Sequence, residues 1–149
     1  MGFATLRVDL TDPAAHDSDY WRPHVAGRAM VNAAGLLTGN DATFRAVHVA
    51  APQAVYAARD PGAPVVLISA VGIDAATDFA RWRREGEAVA TEAQATILRP
   101  GLVLADTSYG GSSLGRALAA MPGVIPIVGD GDQVFDPVHA EDLAWIVIA

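Results

Sequence analysis

Residues 64–72 read PVVLISAVG. The run is continuously apolar, of strand length and closed by a glycine, which predicts a centre strand covered on both faces. Ser69 falls at its carboxyl end. Upstream, RDPGA (59–63) is a clear break. Downstream, Thr77 is placed to cap a helix from Asp78 to about Ala93. ATILRPGLVLA (95–105) reads as another buried strand, ended or bent by Pro100 and Gly101. On the amino-terminal side, AMVNAAGLL (29–37) reads as a buried strand running into a glycine turn. Asp41 is the expected N-cap of a helix over 42–59, with Phe44, Val47, Ala51, Val55 and Ala58 at helical spacing. Pro52 lies inside that helix and should kink it or shift its start.

The outer segments follow the same rhythm. ATLRVDL (4–10) reads as a short strand ended by TDP, and residues 13–27 as one short helix and a loop. Beyond the RPG strand come a Gly-rich loop, DTSYGGSS (106–113), and a helix over about 113–120. GVIPIVGDGD (123–132) reads as a short strand and turn, VFDPVH (134–139) as extended, and AEDLAWIVIA (140–149) as a last helix. Strands alternating with helices predict an α/β fold with a parallel sheet. No linker divides the chain, so 1–149 reads as a single domain.

Composition narrows the function classes. The chain has 149 residues, 52% hydrophobic and 18% charged, which excludes wholesale disorder. No apolar run approaches the roughly 20 residues needed to cross a bilayer. The start, MGFATLRVDLTD, lacks a cationic region followed by an apolar one, and cysteine is absent; a cytoplasmic setting is expected. The net charge of −7 argues against nucleic acid as a partner. All ten basic residues are arginine, which rules out a P-loop lysine or a Schiff-base lysine.

Two further constellations invite a chemical reading. GSSLG (111–115) matches G-x-S-x-G, the nucleophile elbow of serine hydrolases, and Ser113, Asp136 and His139 follow the Ser…Asp…His order of that fold. The context is poor: a loop separates the glycine from the preceding strand, and Asp136 and His139 stand only three apart. The four histidines, His16, His24, His48 and His139, show no metal-motif spacing. His48, inside the 42–59 helix, reads as a core or ligand-adjacent imidazole, and GDGD (129–132) as a tight turn.

Six segments in order carry a family likeness: RVDLTD (7–12), VNAAGLL (31–37), AVHVAAPQAVYAA (46–58), VVLISAVGID (65–74), TILRPGLV (96–103) and FDPVHAEDLA (135–144). On these the chain resembles the extended and atypical branch of the short-chain dehydrogenase/reductase superfamily. The likeness is to the NAD(P)-binding, epimerase-like proteins that include NmrA-like regulators and the complex I accessory subunit. The resemblance implies a doubly wound Rossmann-like sheet, NAD or NADP as cofactor, and oxidoreductase or epimerase-type chemistry on a small molecule. It assigns Asp9 and Leu10 to the adenine ring and Asn32, Ala33, Ala34 and Gly35 to the turn beside the cofactor. It assigns Ser69 to carbonyl polarisation and Pro100, Gly101 and Leu102 to the nicotinamide.

Two departures qualify what the resemblance implies. The family opens with strand–GxxGxxG–helix, whose amides hold the pyrophosphate; this chain begins where the third strand would be. At roughly 30 residues per βαβ unit, about 50 residues are expected to be missing upstream. The chain also stops before the family's substrate lobe, so it reads as a partial domain truncated at both ends. Loss of two strands would leave 4–10 without neighbours and bare an apolar edge at 29–34; rearrangement, aggregation or self-association through that edge is the expected consequence. The second departure lies in DFARWRRE (78–85): the family's tyrosine and lysine positions hold Phe79 and Arg83. Phenylalanine cannot transfer a proton, and loss of a positioned general acid costs about 10²–10⁴ in rate. Arg83 can still bind a ribose hydroxyl but will not tune a neighbour's pKa as lysine can. Ser69, Phe79 and Arg83 are therefore a degenerate triad, and the intact protein is expected either to catalyse without that acid or to hold the cofactor as a sensing or structural ligand. Tyr109 is the one substitute acid nearby in sequence.

Overall fold

A strand of four residues, β2 (Val65–Ile68), forms at the heart of the PVVLISAVG run. It is the middle strand of a three-stranded parallel sheet with β1 (Met30–Asn32) and β3 (Thr96–Leu98), in the order β1-β2-β3. The register pairs Met30 with Val65 and Val66 with Thr96. In this computed structural model the described residues are 4–107, 111–123, 127, 129–132 and 134–149. They divide into two compact units, Met1–Leu98 and Arg99–Ala149. The chain is thus a mixed α/β protein with short parallel strands in small sheets.

In the first unit, Asp12 caps a 3-10 turn at Pro13–His16 and Asp17 caps α1 (Ser18–Val25). The expected 42–59 helix is present but divided. It comprises α2 (Asp41–Arg45), a π turn (Ala46–Ala50) and α3 (Ala51–Ala58). Its N-cap is Asn40 rather than Asp41: the Asn40 side chain accepts from the Thr43 N–H. Pro52 explains the division, because it lacks the N–H that would close a normal turn on the His48 carbonyl. The Ala51 N–H reaches back five residues to Ala46, which widens the turn. Thr77 caps α4 (Asp78–Glu92) as the sequence predicts.

The core lies between one face of the sheet and α3 and α4. Tyr56, Val65, Leu67 and Ala90 form its buried centre, with Met30, Val55, Val89 and Ile97 packed against them. Val66 and Ile68, on the other face, are only half-buried, so the expected covering of both faces is not found. Nor is 29–37 a buried strand: β1 is an edge, and Val31 is 54% exposed. The 4–10 segment is not a strand. It has no ladder partner among the described residues, and strand backbone needs one.

The second unit starts in the RPG segment, where the strand ends just before Pro100 and Gly101, as the sequence predicts. β3 ends at Leu98, and β4 (Val103–Leu104) begins a separate two-stranded parallel sheet with β5 (Val138–His139). Pro100 removes a donor and Gly101 packs under the Asp136 backbone, where a side chain would collide with the carbonyl. Helix α5 (Gly111–Ala119) starts two residues earlier than expected. Helix α6 (Ala140–Ile148) is capped by His139 and leaves Trp145, Ile146 and Ile148 exposed. The turn at 129–132 is present. Most of the strand expected before it, and Tyr109, lie outside the described residues. Among the described residues no helix is long and apolar enough to cross a membrane.

Candidate functional site

The parallel strands β1 and β2 point their carboxyl ends at the same side of the first unit, where open α/β sheets place ligands. Leaving β1, the chain is turned by Asn32. Its Oδ1 accepts from the Ala34 N–H at 3.0 Å, and its Nδ2 donates to the Tyr56 hydroxyl at 2.8 Å. The turn is therefore anchored to α3, and burial pushes the Tyr56 phenol up. The next residues, Ala33 to Leu36, form one wall of a cleft of about 670 Å³. Arg7 to Thr11 form a second wall, and Thr43 and Val47, one helical turn apart, a third. Asp9 is held in place by its own segment: Oδ1 accepts from the Thr11 N–H at 2.8 Å and the Thr11 hydroxyl at 2.7 Å. These bonds hold its carboxyl below the usual range.

Near this cleft stand Arg83, Phe79 and Ser69. Helix α4 lays Arg83 across the strand ends, where Nη1 donates to the Ile68 carbonyl at 3.2 Å. The guanidinium carbon lies 5.4 Å from the centre of the Phe79 ring, a cation–π seat. On the other side it presses on Gly35, where a β-carbon would strike it. Burial lowers the Arg83 pKa, opposed by the charge of Glu87 one turn on. Ser69 is buried, its N–H donating to Leu98 at 2.7 Å. Among the described residues, the Ser69 hydroxyl and Arg83 Nε have no hydrogen-bond partner.

His48 projects from the π turn into the same region. Its ring stacks on Phe44, with centroids 5.8 Å apart, and Nε2 accepts from the Leu36 N–H at 3.3 Å. Burial and the nearby Arg83 charge lower its pKa to about 4, so the ring is neutral near pH 7. The starts of α2 and α4 are tied by Asp41, which accepts from Arg81 at 2.6 Å and the Trp82 indole at 3.1 Å.

Of the residues singled out from the sequence, Asp9, Leu10, Ala33, Ala34 and Gly35 meet in the cleft. Asn32, Phe79 and Arg83 adjoin it through the Asn32 turn and Gly35. Pro100, Gly101 and Leu102 belong to the second unit, where the Leu102 carbonyl accepts from Val138. Sequence reasoning did not find Arg7, Leu36, Thr43 or Val47; the one available signal was the polar residue at 43, a turn before Val47.

The hydrolase constellation has the wrong geometry. Ser113 sits in the first turn of α5, nine residues beyond the end of β4, and among the described residues no strand runs straight into it. His139 Nδ1 accepts from the Glu141 N–H at 3.3 Å as a helix cap. A triad histidine carries its proton on that nitrogen. His16 and His24 do not line the cleft, although His16 Nε2 lies 3.0 Å from the carbonyl of Leu10, which does. No group of three or more His, Cys, Asp or Glu is gathered for a metal among the described residues. The chain matches no protein-family model and no curated protein.

Proposed function

We propose that this chain is a Rossmann-like dinucleotide-binding protein of the atypical short-chain dehydrogenase/reductase kind, which holds NAD or NADP by its adenosine end without reducing carbonyls. One observation carries the reading. Asp9–Leu10 and Ala33–Gly35, two stretches far apart in sequence that the resemblance assigns to the adenosine side, line one cleft. The order of three consecutive parallel strands joined by helices supports it. The non-catalytic part rests on Phe79, which offers Arg83 a ring face and has no proton to give.

Titration with 5′-AMP, NAD and NADP, read by calorimetry, tests the proposal. Saturable binding is expected, with 5′-AMP holding most of the affinity of the whole dinucleotide. No oxidation of NADH or NADPH is expected with a panel of aldehydes and ketones. Absence of saturable binding for all three nucleotides would refute the cofactor reading.

A further inference from the structure

We infer that His48 is the positioning residue of the cleft, stapling two of its three walls through the Leu36 N–H. The inference rests on the nucleotide reading for its ligand, but the staple itself is a matter of geometry. Thr43 and Val47 supply one wall and Ala33 to Leu36 another. These walls come from different elements, and Nε2 of His48 is bonded to the Leu36 amide across them. Leu36 follows β1 in a segment without regular structure, so no ladder holds its backbone. A segment of that kind keeps its course only while such bonds persist.

The histidine is itself held on three sides. Phe44 stacks on the ring. The π turn fixes the His48 backbone, and α4 presses against its carbonyl at Gly86, where a β-carbon would lie 2.7 Å from the oxygen. The charged groups facing it from α4 are Arg83 and, beyond it, Glu87. Beside a guanidinium the ring stays neutral, which leaves Nε2 free to accept and places the proton on Nδ1. An acceptor is the one thing the Leu36 amide needs. A lysine or arginine at this position could not supply it.

The test separates packing from acceptance. His48→Phe keeps a flat ring against Phe44 and removes the acceptor; His48→Gln keeps an acceptor oxygen and removes the imidazole. Two readouts are taken on each protein: affinity for 5′-AMP by calorimetry and exchange of the Leu36 amide by NMR. His48→Phe is expected to weaken 5′-AMP about tenfold and to speed Leu36 exchange about tenfold, and His48→Gln to restore both to within about threefold of the parent. Unchanged affinity in His48→Phe, or a His48→Gln as weak as His48→Phe, overturns the inference. Should His48→Phe fail to fold, Leu36→Pro removes the donor instead and carries the same expectation for 5′-AMP. If the parent protein binds no 5′-AMP, the nucleotide reading fails. Leu36 exchange then decides the staple alone: faster in His48→Phe upholds it, unchanged overturns it.

Discussion

Gly86→Ala should destabilise this protein although it replaces glycine in the middle of a helix. On propensity alone the change favours α4 by about 1 kcal/mol. The structure opposes it. A β-carbon at 86 would lie 2.7 Å from the His48 carbonyl oxygen and 3.6 Å from its carbon. The obstacle is backbone, so no rotamer change relieves it. The His48 turn is itself fixed, since Pro52 cannot donate to that carbonyl and the π turn has already widened around it. The helices must part by several tenths of an ångström over a contact that includes buried Ala90 and Tyr56. Overpacking costs about 1–3 kcal/mol, and a backbone obstacle puts this site in the upper part of that range, about 2–3 kcal/mol, so the net loss is about 1–2 kcal/mol after the propensity gain. The melting temperature by far-UV circular dichroism should fall by about 2–8 °C. Gly115, within α5, has nothing within 4 Å of the corresponding position, and Gly115→Ala is the control: it should stabilise by about 0.5–1 kcal/mol. A melting temperature for Gly86→Ala equal to or above the parent would show that α4 does not pack on the π turn, and the placing of His48 would fall with it.

Other expectations follow from the same contacts. Asn32→Ala leaves the buried Tyr56 hydroxyl and the Ala34 amide without their partner; a loss of about 2 kcal/mol in urea unfolding is expected, and a change under 0.5 kcal/mol would deny the anchor. His48 has a folded pKa of about 4 against 6.5 for an imidazole free in water. Its contribution is therefore complete above pH 6.5 and lost as pH falls through 6.5 to about 4, about 3 kcal/mol in all. His48→Gln should flatten the stability–pH curve in that window, and an unaltered slope would place the titration elsewhere. Gly35→Ala forces Arg83 off its seat while clashing only with a flexible side chain. Stability should change by less than about 1 kcal/mol while 5′-AMP binding weakens; intact binding would show that the Gly35 wall does not touch the ligand.

Helix starts were legible because they are local. Thr77 announces α4 by a hydroxyl three residues before the amide it caps, and the 41–58 helix was misplaced by a single residue because Asn40 and Asp41 compete for one role. Pro52 foretold a disturbance, and the π turn is the form it took. Strands failed where a distant partner decides. ATLRVDL has strand composition, but no neighbour offers it a ladder among the described residues. Pro100 and Gly101 announced the break after TIL, but the pairing of Val103 and Leu104 with a second sheet, and the packing of Gly101 on the Asp136 carbonyl, are contacts that local pattern does not contain. The cleft shows the same limit. Its Asp9 and Ala33–Gly35 sides were assigned through the family resemblance, whereas Thr43 and Val47 look like ordinary helix residues until the π turn sets their facing.

The pair Phe79 and Arg83 can be read as decay of a tyrosine–lysine site or as a seat built for arginine, and the geometry separates the two. Decay would leave the cation without matched surroundings. Here three features suit a planar guanidinium: the Ile68 carbonyl for Nη1, the Phe79 ring beneath it, and Gly35, whose missing β-carbon makes room. An ammonium is a point charge with no plane to stack and no fork to reach past the ring. Arg83→Lys should therefore cost about 1 kcal/mol, the worth of the lost stacking. The double variant Phe79→Tyr/Arg83→Lys installs the tyrosine–lysine pair that the resemblance would place here, yet its lysine would lack the contacts that position it. No NADH or NADPH oxidation is expected from the double variant with aldehydes or ketones. Turnover in that variant would show that the strand ends still hold a catalytic frame two substitutions from activity, and the reading of Arg83 as a fitted residue would be wrong.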